Sequence, residues 1–244
     1  MSESQYEGAS SPLKAGETQG HVTHKAYKTF DAFMNKVYSL MGLGLFISFI
    51  TAMAVAYLMP GLAVNGVVLM IAIFVELALV IAITRKLGDI NGAENASRLF
   101  YAYSVVSGMS FAVIFMAFAP TAIGAALFST AGIFAAMSAY GTLAKKNLTG
   151  AAKYLMMILV GIIIASIVNI FIMNNMLNFY ISVAIVVLFT ILTAMDTQKL
   201  KLIYQQYEGS QDNLAVYGAL TLYLDFINIF LSLLRIFGGS SNNN

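Results

Sequence analysis

The chain has no cysteine and few charged residues. Without cysteine, a disulfide framework, a thiolate metal site and a cysteine nucleophile are all excluded. Charged residues make up 10% of the 244 residues, whereas a soluble domain carries about 25%. The formal net charge of +2 is small, and the basic residues are spread over several loops, so we expect no nucleic-acid partner.

Hydrophobic residues, by contrast, make up 59% of the chain, more than a water-soluble core can bury. They fall into seven runs, each close to the roughly 20 residues that a helix needs to cross a bilayer. Strands of alternating polarity, which are typical of membrane barrels, are absent from the sequence. We therefore predict an all-α integral membrane protein, a bundle of seven helices in a lipid bilayer. The predicted spans are 37–59, 66–84, 99–119, 121–143, 152–173, 177–198 and 214–237.

The composition also divides the chain. Residues 1–30 are polar and lack apolar periodicity, so they are predicted to form a flexible cytoplasmic tail. This tail has no apolar core of a signal peptide, and the first span is therefore expected to stay in the mature protein. The membrane domain is predicted at residues 31–239, and a short polar C-terminus at 240–244.

The distribution of lysine and arginine predicts the orientation of the bundle, because short cytoplasmic loops collect basic residues. The tail and connections two, four and six hold basic residues, whereas connections one, three and five hold none. Arg235, at the end of the last span, is the exception. We therefore expect the N-terminus in the cytoplasm and the C-terminus outside.

Three acidic residues lie inside the apolar runs, namely Glu76, Asp196 and Asp225. A carboxylate at the centre of a bilayer costs roughly 2.5–3.5 kcal/mol on insertion scales. Acids kept at such a cost face the interior of a bundle or a water-filled cavity, and they mark ion or proton pathways. The sequence therefore favours ion handling.

The last span carries a polar stripe. Its residues follow one another at spacings of three and four, which keeps them on one narrow face of a helix. They are Thr221, Asp225, Asn228, Ser232 and Arg235. This face either lines a water-accessible cavity or forms the hydrogen-bonded centre of the bundle, and both interpretations predict a seventh helix inside the other six.

Span four is rich in small residues, which mark the places where membrane helices pack closely. We therefore predict that this span is buried rather than facing lipid. The residues concerned are Gly124, Ala125, Gly132, Ala135, Ala136 and Ala139.

Asp196 and Asp225 are predicted to lie at one depth, since they are almost equally distant from the turn at Gly209 and Ser210. If they meet, the two carboxylates will not both ionise easily, so they would share a proton and form a pH-sensitive latch. Deprotonated, the pair would repel, open or accept a cation in transit, and Ca²⁺ prefers such oxygen ligands. The alternative is an interfacial Asp196 in a structural ion pair with Lys199.

Two further residues have two interpretations each. Glu76 is either a functional acid or a neutral, hydrogen-bonded residue of the bundle. Arg85 lies at the end of a span, where it is first a determinant of topology and second a candidate counter-ion for the buried acids. Both interpretations stay open for each residue.

Catalysis is not expected. Intramembrane aspartyl proteases use two carboxylates, but Asp225 follows LTLYL rather than the Gly-x-Gly of that class. Intramembrane serine proteases need a membrane histidine as base, and the two histidines, His21 and His24, lie in the tail. No zinc motif of the HExxH type occurs. We therefore predict neither an enzyme nor a cofactor.

Three segments carry a family resemblance: the last span, YGALTLYLDFINIFLSLLRIFGG, the end of span six, ILTAMDTQKLK, and VELALVIAITRK of span two. They resemble the Bax inhibitor-1 family, also called the transmembrane Bax-inhibitor-motif proteins, and the likeness covers about residues 28 to 239. It implies six helices around the seventh and a pH-sensitive calcium leak governed by Asp196 and Asp225. Glu76 would be a nearby acid, and Arg85 matches an arginine implicated in the family.

The resemblance therefore predicts calcium ions and protons as partners, with Ca²⁺ transported and bound only in transit by Asp196 and Asp225. Eukaryotic relatives restrain cell death, and some bacterial relatives restrain a membrane protease. The alternative function is accordingly a non-conducting membrane interaction protein that modulates a membrane protease or a cell-death or stress partner. The expected location is a bacterial plasma membrane.

Overall fold

A computed structural model describes residues 29–86, 93–206 and 211–239. In these ranges the chain forms α-helices, with one 3₁₀ turn at Thr149–Ala151 and no strand. The helices are α1 Phe30–Leu58, α2 Pro60–Ala63, α3 Gly66–Lys86, α4 Ala93–Ala117, α5 Pro120–Leu143, α6 Ala152–Ile172, α7 Asn175–Gln206 and α8 Gln211–Gly239. All but the short α2 are long and apolar enough to cross a membrane, which confirms the predicted class of seven-span helical membrane protein. Most of the predicted tail and the whole C-terminus at 240–244 lie outside the described residues.

Several helices extend beyond the apolar runs. The first helix begins at Phe30 rather than at residue 37, and α7 continues to Gln206, past the predicted end at residue 198. Thr29 caps α1, because its hydroxyl accepts a hydrogen bond from the backbone N–H of Ala32 at 3.2 Å. Hydropathy locates the part of a helix that lies in lipid, whereas hydrogen bonding carries the helix on into polar sequence.

The spans alternate in direction, so the two ends of the bundle differ in charge. We call the end where α1 begins the basic end and the opposite one the far end. The basic end is also where α3, α5 and α7 end and α4, α6 and α8 begin. Its described basic residues include Arg85, Lys145, Lys146, Lys153, Lys199 and Lys201.

The last helix, α8, is the most buried span, with 61% of its apolar segment buried against 6% for α6. Its main neighbours are α7, α5, α1, α4 and α3, whereas α6 packs on α7 at the edge of the bundle. Residues on several sides of α8 are therefore buried, including Leu214, Leu222, Tyr223, Asp225 and Ile229. A complete ring of six helices around the seventh stays a prediction.

The predicted burial of the small residues in span four is wrong. Gly124, Ala125, Gly132, Ala135, Ala136 and Ala139 are all exposed. The buried face of α5 is formed instead by Ile123, Ala126, Thr130, Phe134, Ser138 and Gly141. Small residues permit close packing of helices but do not require it. The close approach occurs at Gly141, where a Cβ atom would overlap the backbone oxygen of Ala194 on α7.

Candidate functional site

Asp225 lies at the middle of α8 and is only 3% exposed. Its Oδ2 atom has no hydrogen-bond partner among the described residues. The charged group that acts on it is the carboxyl of Asp196, which lies half-buried on α7. The two helices pack against each other, so the structure brings the two aspartates within electrostatic range inside the bundle. The turn at Gly209 and Ser210, from which their common depth was inferred, lies outside the described residues.

Lys199 is the positive group that acts on Asp196, one helical turn further along α7. Its side chain is exposed at the basic end. Asp196 therefore lies near both of the residues that the sequence predicted as its partners, with Asp225 towards the core and Lys199 towards the surface. The proton-sharing pair and the interfacial ion pair are compatible in this arrangement.

The polar stripe of α8 is fully buried at two of its five positions. Asp225 and Ser232 are buried, whereas Thr221 and Asn228 are half-buried and Arg235 is exposed. The hydroxyl of Thr221 donates to the Tyr217 carbonyl at 3.0 Å, and the Asn228 amide donates to the Leu224 carbonyl at 2.7 Å. These side chains thus satisfy part of their hydrogen bonding within their own helix. The predicted interior position does not extend to Arg235.

Glu76 lies at the middle of α3 and is half-buried. Its Oε1 atom accepts a hydrogen bond from the hydroxyl of Ser110 on α4 at 2.7 Å. Electrostatically it acts on the phenols of Tyr103 and Tyr223. Glu76 therefore belongs to a cluster between α3, α4 and α8 that is separate from the aspartate pair.

Tyr223 is the centre of this second cluster, and no pattern in the sequence pointed to it. Its hydroxyl lies 2.7 Å from the Ser48 hydroxyl of α1, which in turn donates to the Ser104 carbonyl of α4 at 2.7 Å. The Ser48 hydroxyl also lies 3.0 Å from the Gly44 carbonyl, and because its single proton goes to one of these two carbonyls, the phenol is the donor to Ser48. The buried Ser107 hydroxyl lies beside the Tyr103 and Tyr223 phenols, yet meets hydrogen-bond geometry with no described residue.

Gln198, two residues after Asp196, fastens the connection between α5 and α6 to α7. Its Oε1 accepts from the backbone N–H of Leu148 at 2.7 Å, and its Nε2 donates to the carbonyls of Ala144 and Lys146 at 3.2 and 2.8 Å. The segment MDTQKLK was recognised in the sequence, but only for its aspartate and basic residues. The signal available in the sequence was a glutamine at the end of an apolar span, since such a side chain can hydrogen-bond the backbone of a nearby loop.

A chain of hydroxyls crosses the basic end next to Asp196. Tyr38 of α1 hydrogen-bonds Ser138 of α5, and Ser138 lies 3.1 Å from the hydroxyl of Thr197 on α7. Thr197 donates its own proton to the Thr193 carbonyl at 2.8 Å. The chain therefore runs from Tyr38 towards α7, and it ties three helices together at the level of Asp196.

Arg85 is exposed in the last turn of α3. Among the described residues, the charged groups found to act on Asp196 and Asp225 are Lys199 and Asp196 itself. The structure therefore does not bring Arg85 to the aspartates as a counter-ion. Its position agrees with a role at the membrane boundary.

Fold and site together define a helical membrane protein with a pair of aspartates, one buried and one half-buried, inside the bundle. The sequence profile described as "Inhibitor of apoptosis-promoting Bax1" matches residues 31–243, and the chain belongs to this family, the Bax inhibitor-1 family. The family resemblance seen in the sequence is thereby confirmed.

Similar proteins occur in several bacteria. The chain is 40% identical over 214 residues to the inner membrane protein YbhL of Escherichia coli K12, covering 84% of this chain and 91% of that protein. It is 40% identical over 217 residues to a protein of Borreliella burgdorferi, covering 86% and 93%. A membrane protein of Streptococcus pyogenes serotype M1 is 36% identical over 225 residues, covering 88% and 97%.

Proposed function

We propose that this protein is a pH-sensitive leak pathway for cations, with Ca²⁺ as the transported ion, gated by Asp196 and Asp225. The observation that supports it is the environment of Asp225, which is buried, has one carboxyl oxygen without a described partner, and faces the charge of Asp196. Acidic residues kept inside a membrane bundle typically mark ion or proton pathways.

The proposed gate works by proton sharing. Two carboxyl groups that share one proton attract each other and hold α7 against α8. Loss of that proton leaves two negative charges in a region of low dielectric, so the helices separate or the pair binds a cation. Among the described residues, Lys199 is the positive group that acts on this pair, and it does so through its proximity to Asp196.

Calcium suits the pair as a passing ion rather than as a resident one. Ca²⁺ prefers carboxylate oxygens but takes six to eight of them, and Asp196 and Asp225 supply at most four. A site this incomplete binds weakly and releases its ion quickly. The proposal therefore includes no cofactor and no catalytic step.

The test is Ca²⁺ flux into proteoliposomes that contain only the purified protein. Flux should rise between about pH 6 and about pH 8 as the shared proton leaves. Asp225→Asn keeps the shape but cannot share a proton, so it should abolish this rise. Asp31→Asn, an exposed acid in the first turn of α1, is the matched control and should leave it intact. An unaltered pH profile in Asp225→Asn rejects the gate.

A second function, that of a non-conducting interaction protein for a membrane protease or stress partner, is favoured by the surface of α6. This helix is the least buried span. A Cβ atom at its Gly161 would meet nothing within 4 Å, so a face suited to close helix packing is unpartnered in the single chain. If the purified wild-type protein shows no flux over the whole pH range, this function replaces the leak.

We also propose a plasma-membrane location with the N-terminus in the cytoplasm. The concentration of lysine and arginine at the basic end supports the orientation, and the E. coli relative is named an inner membrane protein. A reporter fused after Asn244 should read as outside, and one inserted at Gly209 as cytoplasmic. Reporters that read on the same side would remove one span from the bundle.

A further inference from the structure

A polar pocket of about 370 Å³ opens at the far end of the bundle, away from the aspartate pair. It lies between the turn joining α4 to α5, the first turn of α7 and the last turns of α8. Arg235 and Asn178 supply its polar side, and Phe118 stands among small residues on its apolar side. The pocket is therefore amphipathic rather than uniformly apolar.

Among the described residues, Arg235 is the one charged residue that lines this pocket, and none of the described lining residues is acidic. Its guanidinium presents a planar fork of N–H donors that matches the oxygens of a phosphate group. The Asn178 side-chain amide adds donors beside it. These donors together are suited to bind an oxyanion.

The depth of the pocket selects the kind of oxyanion. Arg235 lies in the last turns of α8, beside the turn that joins α4 to α5 and the first turn of α7. Because spans begin and end near the boundary of the hydrocarbon core, which is about 30 Å thick, this arginine lies at that boundary. The anions present at that level are the phosphate groups of phospholipids.

Arg235 also departs from the charge pattern of the rest of the protein. Among the described residues, it is the basic residue at the far end, whereas the others lie at or near the basic end. An arginine outside the pattern that sets topology needs another partner. The partial negative charge at the C-terminus of α8 is one such partner within the fold. A lysine would serve it equally well, so it does not explain the choice of arginine.

The packing around Gly238 shapes the apolar side. A Cβ atom at this position would overlap the ring of Phe118, so glycine lets α8 approach the turn between α4 and α5. The ring is thereby held as a wall of the pocket, opposite the polar side chains. A glycerol backbone and the start of an acyl chain fit against such a wall.

From these observations we propose that Arg235 and Asn178 bind the phosphodiester group of a phospholipid in the leaflet at the far end. The guanidinium and amide hold the phosphate oxygens, and Phe118 contacts the apolar part of the lipid. This site is independent of the proposed cation pathway, because it shares no residue with the aspartate pair.

The absence of cysteine makes the test direct, since one introduced cysteine is the only labelling site. Ala119→Cys, exposed at the rim of the pocket, carries a bimane fluorophore on the full chain in detergent. Short-chain phosphatidylglycerol is titrated and should give a saturable change in fluorescence. Short-chain diacylglycerol, which lacks the phosphate, should give none. Saturable binding of the diacylglycerol with equal affinity contradicts the proposal.

Variants in this labelled background test the named side chains. Arg235→Gln should weaken phosphatidylglycerol binding about tenfold or more, because a hydrogen-bonded charge is lost. Arg235→Lys keeps the charge without the fork and should fall between that variant and the parent. Lys153→Gln, an exposed charge at the basic end, is the control and should change nothing. Equal affinity in Arg235→Gln and the parent overturns the site.

Two further measurements distinguish a lipid from free phosphate and provide a second variant. Inorganic phosphate should compete only at much higher concentration than the lipid, because it lacks the apolar contact. Competition at equal concentration would make the pocket a site for free phosphate and would contradict the lipid assignment. If Arg235→Gln does not fold, Asn178→Ala should still weaken binding several-fold, and unchanged affinity there counts against the proposal.

Discussion

Tyr223 and Asp225 lie two residues apart on α8 and serve opposite faces of that helix. Tyr223 hydrogen-bonds Ser48 of α1 at 2.7 Å, whereas Asp225 faces the charge of Asp196 on α7. In an α-helix, residues two positions apart are rotated by about 200° around the helix axis. One helix thus carries a hydroxyl cluster on one side and the acid pair on the other, and substitutions can test each side alone.

Tyr223→Phe should lower the stability of the protein without altering the pH dependence of flux. It removes one buried hydrogen bond to Ser48, which is worth about 1 kcal/mol. The measurement is unfolding by heat or denaturant in detergent. Tyr57→Phe is the control, since Tyr57 is 70% exposed and should be neutral. A shifted pH profile in Tyr223→Phe would show that the hydroxyl cluster takes part in the gate.

Gly141→Ala should disrupt the packing of α5 on α7. The added Cβ atom overlaps the backbone oxygen of Ala194, which cannot rotate away, so the helices must move apart. We expect a loss of about 1–3 kcal/mol, as for other overpacked sites. Gly132→Ala on the same helix meets nothing within 4 Å and should be neutral or slightly stabilising, because alanine favours helix. Equal stability of the two variants would contradict this packing.

Gln198→Ala should release the connection between α5 and α6. The substitution removes three hydrogen bonds to the backbone of residues 144–148. Amide hydrogen exchange of that segment should become faster, most clearly at Leu148, whose N–H loses its acceptor. Gln205→Ala, an exposed glutamine later on α7, should leave the exchange unchanged. Slow exchange at Leu148 in Gln198→Ala would mean that other contacts hold the connection.

Lys199→Gln should move the rise of flux to slightly higher pH. Lys199 lies one helical turn from Asp196, and its positive charge attracts the deprotonated pair, so its removal should let the pair keep the shared proton to a higher pH. The exposure of Lys199 limits the size of the effect. Flux is measured across pH in proteoliposomes, with Lys153→Gln as the control. A shift towards lower pH would reverse the assigned sign.

The sequence predicted the spans and the acids better than it predicted helix faces. Asp196 and Asp225 could be placed together because both are costly in lipid and flank one turn. Tyr223 could not be found, since its partners Ser48 and Ser104 lie on other spans and carry no shared pattern. Membrane helices are apolar on every side, so periodicity does not separate the face towards protein from the face towards lipid.

That limit explains the two errors of placement. The small residues of α5 such as Gly132 were taken as buried, yet the contact with α7 is made through Gly141. Arg235 completed a polar stripe in the sequence, but this residue lies in the last turns of α8, where its side chain is exposed at the end of the bundle. Spacing identifies the face of a helix, whereas the depth and the neighbours of that face depend on the assembled bundle.

The central claim, that the aspartate pair senses pH and admits the cation, is tested most directly by Ca²⁺ flux in proteoliposomes from about pH 6 to about pH 8. The measurement compares wild-type protein with the double variant Asp196→Asn with Asp225→Asn, and with Glu76→Gln. Glu76 is the third membrane acid and belongs to the other cluster. The account predicts a rise with pH in wild type and in Glu76→Gln, and a flat profile in the double variant. A rise that survives in the double variant, or one that Glu76→Gln alone removes, would contradict it.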